Sequence, residues 1–223
     1  MASTTYKPGA AGAISGAKLT VEAGRARAAA SPIAGVRLEP SQTGIWVAIC
    51  AISMCFAALT SALVVREGSG MDWQRLVLPR ILYFNTAALI ASSFTLEISR
   101  KRIAAAAANA DPRMRSYAPA MNWLLATLAL GLLFVAGQIV AWRNLAAQGI
   151  FLATNPASSF FYVFTAMHGL HVLGGLAGLL YAMRRLTRTM RTPKPVALGA
   201  AAVYWHFMDV LWVYLLFIIA VRM

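Results

Sequence analysis

Four ionisable side chains interrupt two apolar runs near the end of the chain. In FFYVFTAMHGLHVLGGL, Phe160–Leu176, His168 and His171 stand three residues apart; in YWHFMDVLWVYLLF, Tyr204–Phe217, so do His206 and Asp209. That spacing puts each pair on one helical face. Three imidazoles and a carboxylate are a donor set suited to zinc or iron, and two histidines on facing helices can take the axial positions of a haem. The same groups can instead form a buried polar clamp between two helices, or serve proton or lipid handling. An ionisable side chain in a membrane span costs roughly 2.5 kcal/mol or more, so it normally faces protein and marks a functional site.

The elements that position these residues are membrane helices. The chain of 223 residues is 60% hydrophobic and 12% charged, with a positive mean hydropathy, which lies outside the range of a soluble domain. A hydrocarbon core about 30 Å thick takes about 20 helical residues to cross. Five apolar stretches are long enough, near 44–65, 78–97, 119–142, 157–183 and 196–221. They lack strict alternation, which argues against a transmembrane barrel. The expected fold class is all-α, one integral membrane bundle of five helices over 44–223. The connections at 66–77 and 143–156 are short, so successive spans are expected to pack as antiparallel hairpins. The rise per residue places His168 and His171 about 15–20 Å below one boundary, and His206 and Asp209 a similar depth from the other. All four are expected to meet near mid-membrane.

The formal net charge of +13 suggests nucleic acid until the charges are located. Five basic residues precede the first span (Lys7, Lys18, Arg25, Arg27, Arg37), and five lie in the second connection (Arg100, Lys101, Arg102, Arg113, Arg115). Five more lie in the fourth (Arg184, Arg185, Arg188, Arg191, Lys194), and the alternate segments hold far fewer. This positive-inside pattern puts the N-terminus in the cytoplasm and the C-terminus outside. The basic balance reads as topology and attraction to anionic headgroups, with no nucleic-acid partner. Residues 1–43, rich in Gly, Ala, Ser and Thr with scattered basic residues, are expected to form a disordered cytoplasmic tail.

Smaller features read as packing. Cys50 and Cys55 are five apart on one helix, point to different faces and cannot bridge each other. Gly174 and Gly178 form a small-xxx-small face that would let another helix approach closely. Trp212 lies deep in the last span and is expected to pack against a neighbour.

The stretches FFYVFTAMHGLHV, ending at Val172, and YWHFMDVLW, Tyr204–Trp212, closely resemble the two most characteristic motifs of subunit III of the haem-copper terminal oxidases, both cytochrome c and ubiquinol oxidases. NTAALIASSFT (Asn85–Thr95) and GLLFVAGQIVAW (Gly131–Trp142) echo two further motifs in the right order. The resemblance spans residues 44–221 and matches the short five-helix bacterial form. It implies a non-catalytic subunit of a respiratory oxidase in the bacterial cytoplasmic membrane. Haem and copper would be carried by partner subunits and none by this chain. Subunit I would be the main contact, with subunit II, phospholipid in a cleft, and a larger respiratory supercomplex as further partners. Under this resemblance His168, His171, His206, Asp209 and Trp212 form a buried polar clamp or lipid contact and are not metal ligands. Two positions depart from the pattern. Ile52 or Ser53 stands where the family usually carries a carboxylate in the first helix, and Ala141 replaces the glutamate of its Gln-x-x-Glu-Trp pattern. These departures keep open a subunit-III-like accessory protein of nitric oxide reductases. A stand-alone membrane haem or metal protein is the remaining alternative.

Overall fold

In a computed structural model the described residues are 40–69, 73, 76, 79–108, 117–188 and 195–223. They form five α-helices: α1 (Pro40–Ser69), α2 (Ile81–Ala108), α3 (Ala118–Ala147), α4 (Pro156–Arg188) and α5 (Pro195–Arg222). All five are long and apolar enough to cross a membrane, and no strand occurs among the described residues. The fold class read from the apolar runs is therefore borne out. The helices outrun the apolar segments because polar and alanine-rich turns continue them past the hydrocarbon boundary. The expected tail over residues 1–43 lies, up to Glu39, outside the described residues.

Local chemistry sets several helix ends. Pro40, Pro156 and Pro195 open their helices, and Pro119 sits in the first turn of α3, where a missing N–H costs nothing. At the start of α4, Asn155 Oδ1 accepts from the Ser158 N–H at 2.7 Å while Ser158 Oγ accepts from the Asn155 N–H at 3.2 Å. This reciprocal cap satisfies two donors at once. α3 stops at Gly149, whose φ of +76° suits glycine. The Gly149 N–H bonds the Ala146 carbonyl and the Ile150 N–H the Leu145 carbonyl, the paired bonds of a Schellman ending.

Helices α2, α3, α4 and α5 pack in a closed ring, each touching the next. Side-chain ties fix the directions. The contacts Ser99 to Ala120, Thr95 to Thr127 and Asn85 to Gly137 descend α2 while they ascend α3, so the pair is antiparallel. Ser92 to Trp205 and Thr86 to Trp212 show the same for α2 and α5. Helix α1 lies outside the ring against α4 and α5.

That placement corrects one expectation. Among the described residues α1 and α2 do not touch, so the 66–77 connection makes no hairpin. Its described residues instead meet the end of α5. The Trp73 indole N–H donates to the Arg222 carbonyl at 3.1 Å, the Leu76 N–H bonds the Met223 carbonyl, and Glu67 pairs with Arg222 at 3.1 Å. α5 thus stands between α1 and α2. The 143–156 connection does join packed neighbours, α3 and α4.

Candidate functional site

The ionisable residues divide into two environments. On the α2–α5 seam, Ser93 Oγ donates to Asp209 Oδ2 and lies 2.9 Å from His206 Nδ1. A hydroxyl carries one proton, so with that proton on the carboxylate, His206 Nδ1–H must be the donor to Ser93. The result is a relay of hydrogen bonds, His206 to Ser93 to Asp209, that ties two membrane helices. Asp209 is buried and His206 half-buried. One hydroxyl thereby serves two groups that would be costly alone in lipid.

His168 is in a different place. It is fully buried inside the ring, with the Phe134 ring edge-on at 5.7 Å and the Trp212 ring tilted at 5.0 Å. Phe134 and Trp212 themselves meet edge-to-face at 4.8 Å. The Trp212 indole N–H reaches across to Thr86 Oγ1 at 3.0 Å, so Trp212 packs deep between neighbours and binds α2 as well. Trp205 repeats the device two turns away, donating to Ser92 Oγ at 2.9 Å. Both bonds give a buried indole the partner it requires.

His171 faces elsewhere again. Its Nδ1 is 2.6 Å from the Met167 carbonyl one turn back, and its ring lies 6.0 Å from Phe56 of α1. The Tyr204 hydroxyl donates to the His171 carbonyl at 3.1 Å, linking α5 to α4.

The expectation that His168, His171, His206 and Asp209 meet in one cluster is therefore corrected. Residues three apart on a helix differ by about 60° in direction. On α4 that angle is enough to send His168 into the ring and His171 towards α1. On α5 the pair turns to the flank facing α2. Among the described residues no group of three or more His, Cys, Asp or Glu side chains is placed to hold a metal ion. The small-residue face shifts by one position. Gly174 and Gly178 are exposed, and a Cβ at Gly178 would meet nothing within 4 Å. The close approach is at Gly175, where a Cβ would stand 3.1 Å from Tyr204 and 3.2 Å from Trp205. Gly131 of α3 makes room for the same indole from the other side, at 2.8 Å.

Sequence reasoning missed Ser93 as the partner of His206 and Asp209. Its signal was present in NTAALIASSFT, whose hydroxyl residues turn out to be ties of α2. Thr86 and Ser92 receive the two indoles, and Thr95 bonds Thr127 of α3 at 2.8 Å. Ile52 and Ala141, at positions lacking carboxylates, are apolar and packed. Ile52 belongs to the core beside Phe56, and Ala141 is wholly buried. Ser53 is exposed and bonds back to the Ile49 carbonyl at 2.8 Å. Cys50 and Cys55 are both free thiols.

Comparison with known proteins covers all five helices. The family model described as cytochrome c oxidase subunit III matches residues 43–221. A probable cytochrome c oxidase subunit 3 of Mycobacterium bovis is 35% identical over 135 residues, 60% of this chain and 62% of the relative. The match thus spans about three fifths of the mycobacterial relative. Cytochrome c oxidase subunit 3 of Thermostichus vulcanus is 32% identical over 181 residues, 77% of this chain and 82% of that protein. A probable quinol oxidase subunit 3 of Staphylococcus aureus is 29% identical over 186 residues, covering 79% and 86% respectively. With a family match running from the first turns of α1 to the end of α5, this chain belongs to the cytochrome c oxidase subunit III family.

Proposed function

We infer that this chain is a non-catalytic, multi-pass subunit of a respiratory haem-copper oxidase in the bacterial cytoplasmic membrane. It stabilises the catalytic subunit and holds phospholipid while electrons pass to oxygen and protons are pumped. Haem and copper belong to the partner subunits, with subunit I the main neighbour and subunit II also present. A larger respiratory supercomplex is a further assembly open to it. The N-terminus is cytoplasmic and the C-terminus outside, as the alternation of basic connections requires.

One observation carries this reading. The family match runs through every helix, and several polar side chains within those helices tie one helix to another. Ser93 joins His206 and Asp209, and the indoles of Trp205 and Trp212 are held by Ser92 and Thr86. A redox site would need donors converging on a shared point. A second reading rests on Ile52 and Ala141, apolar where oxidase members usually carry carboxylates; it makes the chain an accessory subunit of a nitric oxide reductase.

The test is purification in mild detergent, with mass spectrometry of everything retained. Oxidase subunits I and II are the expected companions. A nitric oxide reductase core would favour the second reading, and a lone chain carrying its own haem or metal would overturn both.

A further inference from the structure

Three side chains at one level of the ring leave their polar atoms unpaired. Asn85 on α2 is 1% exposed, Gln138 on α3 is 3% and His168 on α4 is 0%. Among the described residues neither amide atom of Asn85, neither of Gln138 and neither ring nitrogen of His168 has a hydrogen-bond partner. That makes six orphaned polar atoms in the protein interior of a membrane span.

Contacts around the ring put them at the same height. Asn85 lies against Gly137, so close that a Cβ there would fall within bonding range of its amide oxygen. Gln138 is the next residue along α3 and stands one turn from Phe134, whose ring meets His168. His168 meets Trp212, and Trp212 returns to Thr86, the neighbour of Asn85. The circuit closes on itself. By helical rise, Gln138, His168 and Trp212 lie about 13–18 Å from the nearer end of their helix, and Asn85 about 6 Å from the start of α2.

The polar groups beside them are already engaged. Thr86 donates to the Leu82 carbonyl at 2.8 Å and accepts from Trp212. Thr165, on α4 just below His168, donates to the Phe161 carbonyl at 2.7 Å and accepts from the Trp142 indole at 3.0 Å. Leaving buried amides and imidazoles unpaired is costly, and lipid offers them no partner. Native proteins satisfy such clusters with internal water, which takes two to four polar partners.

We propose that the centre of the α2–α5 ring is a hydrated polar layer in which water molecules bridge Asn85, Gln138 and His168. The layer is distinct from the Ser93 relay, where Ser93 holds Asp209 Oδ2 and Asp209 Oδ1 is unpaired among the described residues. It couples three helices through solvent at a level where direct side-chain bonds are lacking.

A double-mutant cycle tests this on the chain purified with its co-purifying subunits in a lipid nanodisc. Asn85→Leu, Gln138→Leu and His168→Phe are each expected to lower Tm. The pairs N85L/H168F and Q138L/H168F should lose only about half of the summed shifts, because residues in one network are not additive. His168→Gln, which keeps a donor and an acceptor, should melt close to the unsubstituted chain, and His168→Leu replaces His168→Phe in the cycle if that variant does not assemble. A high-resolution cryo-EM map of the unsubstituted assembly should show water density between the three side chains. Additive shifts in both histidine pairs would overturn the proposal. So would coupling confined to N85L/Q138L, which would mean the two amides bond each other directly, or a map with no density in the layer.

Discussion

Along the α2–α5 seam, His206 and Asp209 share the hydroxyl of Ser93. One helix away, His168 sits between Phe134 and Trp212 with both ring nitrogens unbonded to any described residue. Both regions descend from the same motif pattern, two polar residues three apart in an apolar helix. The difference comes from which helix each face meets. The face of α5 meets the serine-rich side of α2, where a hydroxyl is available. The face of α4 bearing His168 meets aromatic side chains, whose contribution is area and quadrupole rather than hydrogen bonds. Among the described residues, directed polar bonds hold the seam, while the protein contacts of the His168 ring are aromatic.

Substitutions can break that comparison. His168→Ala removes a fully buried ring and leaves a cavity between Phe134 and Trp212, so it should cost about 3 kcal/mol. Thermal unfolding in mild detergent measures the loss, and a change below that of the seam variants would show that packing does not dominate here. Ser93→Ala leaves His206 and Asp209 without their shared hydroxyl and should cost about 2 kcal/mol. Adding the Asp209→Leu change to it should recover part of that loss, because the stranded acceptor is gone; full additivity would contradict the relay.

Two smaller effects sharpen the packing side. Gly175→Ala pushes a methyl to 3.1 Å from Tyr204 and 3.2 Å from Trp205, and should lower stability by about 1 kcal/mol. Gly178→Ala meets open space, so the same melt should show no loss from it. Equal effects at the two glycines would mean that Gly175 is not the close approach. Tyr214→Phe removes the 3.0 Å bond to Thr60 that ties α5 to α1. Interhelix bonds in membranes average about 0.6 kcal/mol, so a small drop confined to α1 is expected, read by hydrogen exchange along that helix.

Much of the architecture was legible in the amino-acid order. Apolar length alone located the five helices, and Trp212 of the last one is buried against Phe134 and His168. The α1–α2 arrangement was not legible, because loop length limits how far apart helix ends can be and does not say what stands between them. The bonds of Trp73 and Leu76 to the end of α5 decide that, and they are long-range. Three-residue spacing correctly put His206 and Asp209 on a common side, yet the same spacing on α4 parted His168 from His171. The spacing rule treats residues about 60° apart as one face, and on α4 that angle separates the ring interior from the side of α1. The same phase error put the small-residue contact at Gly174 and Gly178 when Gly175 meets Tyr204 and Trp205. Ser93 was visible as a polar residue but not as a partner, since nothing in the order of residues pairs α2 with α5.

We propose that His206 and Asp209 hold α5 to α2 through Ser93 and bind no redox group. Asp209→Asn keeps the shape of the side chain while weakening its bond to Ser93, which makes it the most direct probe. The complex carrying this variant is washed in mild detergent, and chain retention is measured beside the reduced-minus-oxidised spectrum. Retention should fall while the haem bands, scaled to the catalytic subunit, keep their position and height. Unchanged retention with a lost haem band would contradict the account and make these residues part of a redox site.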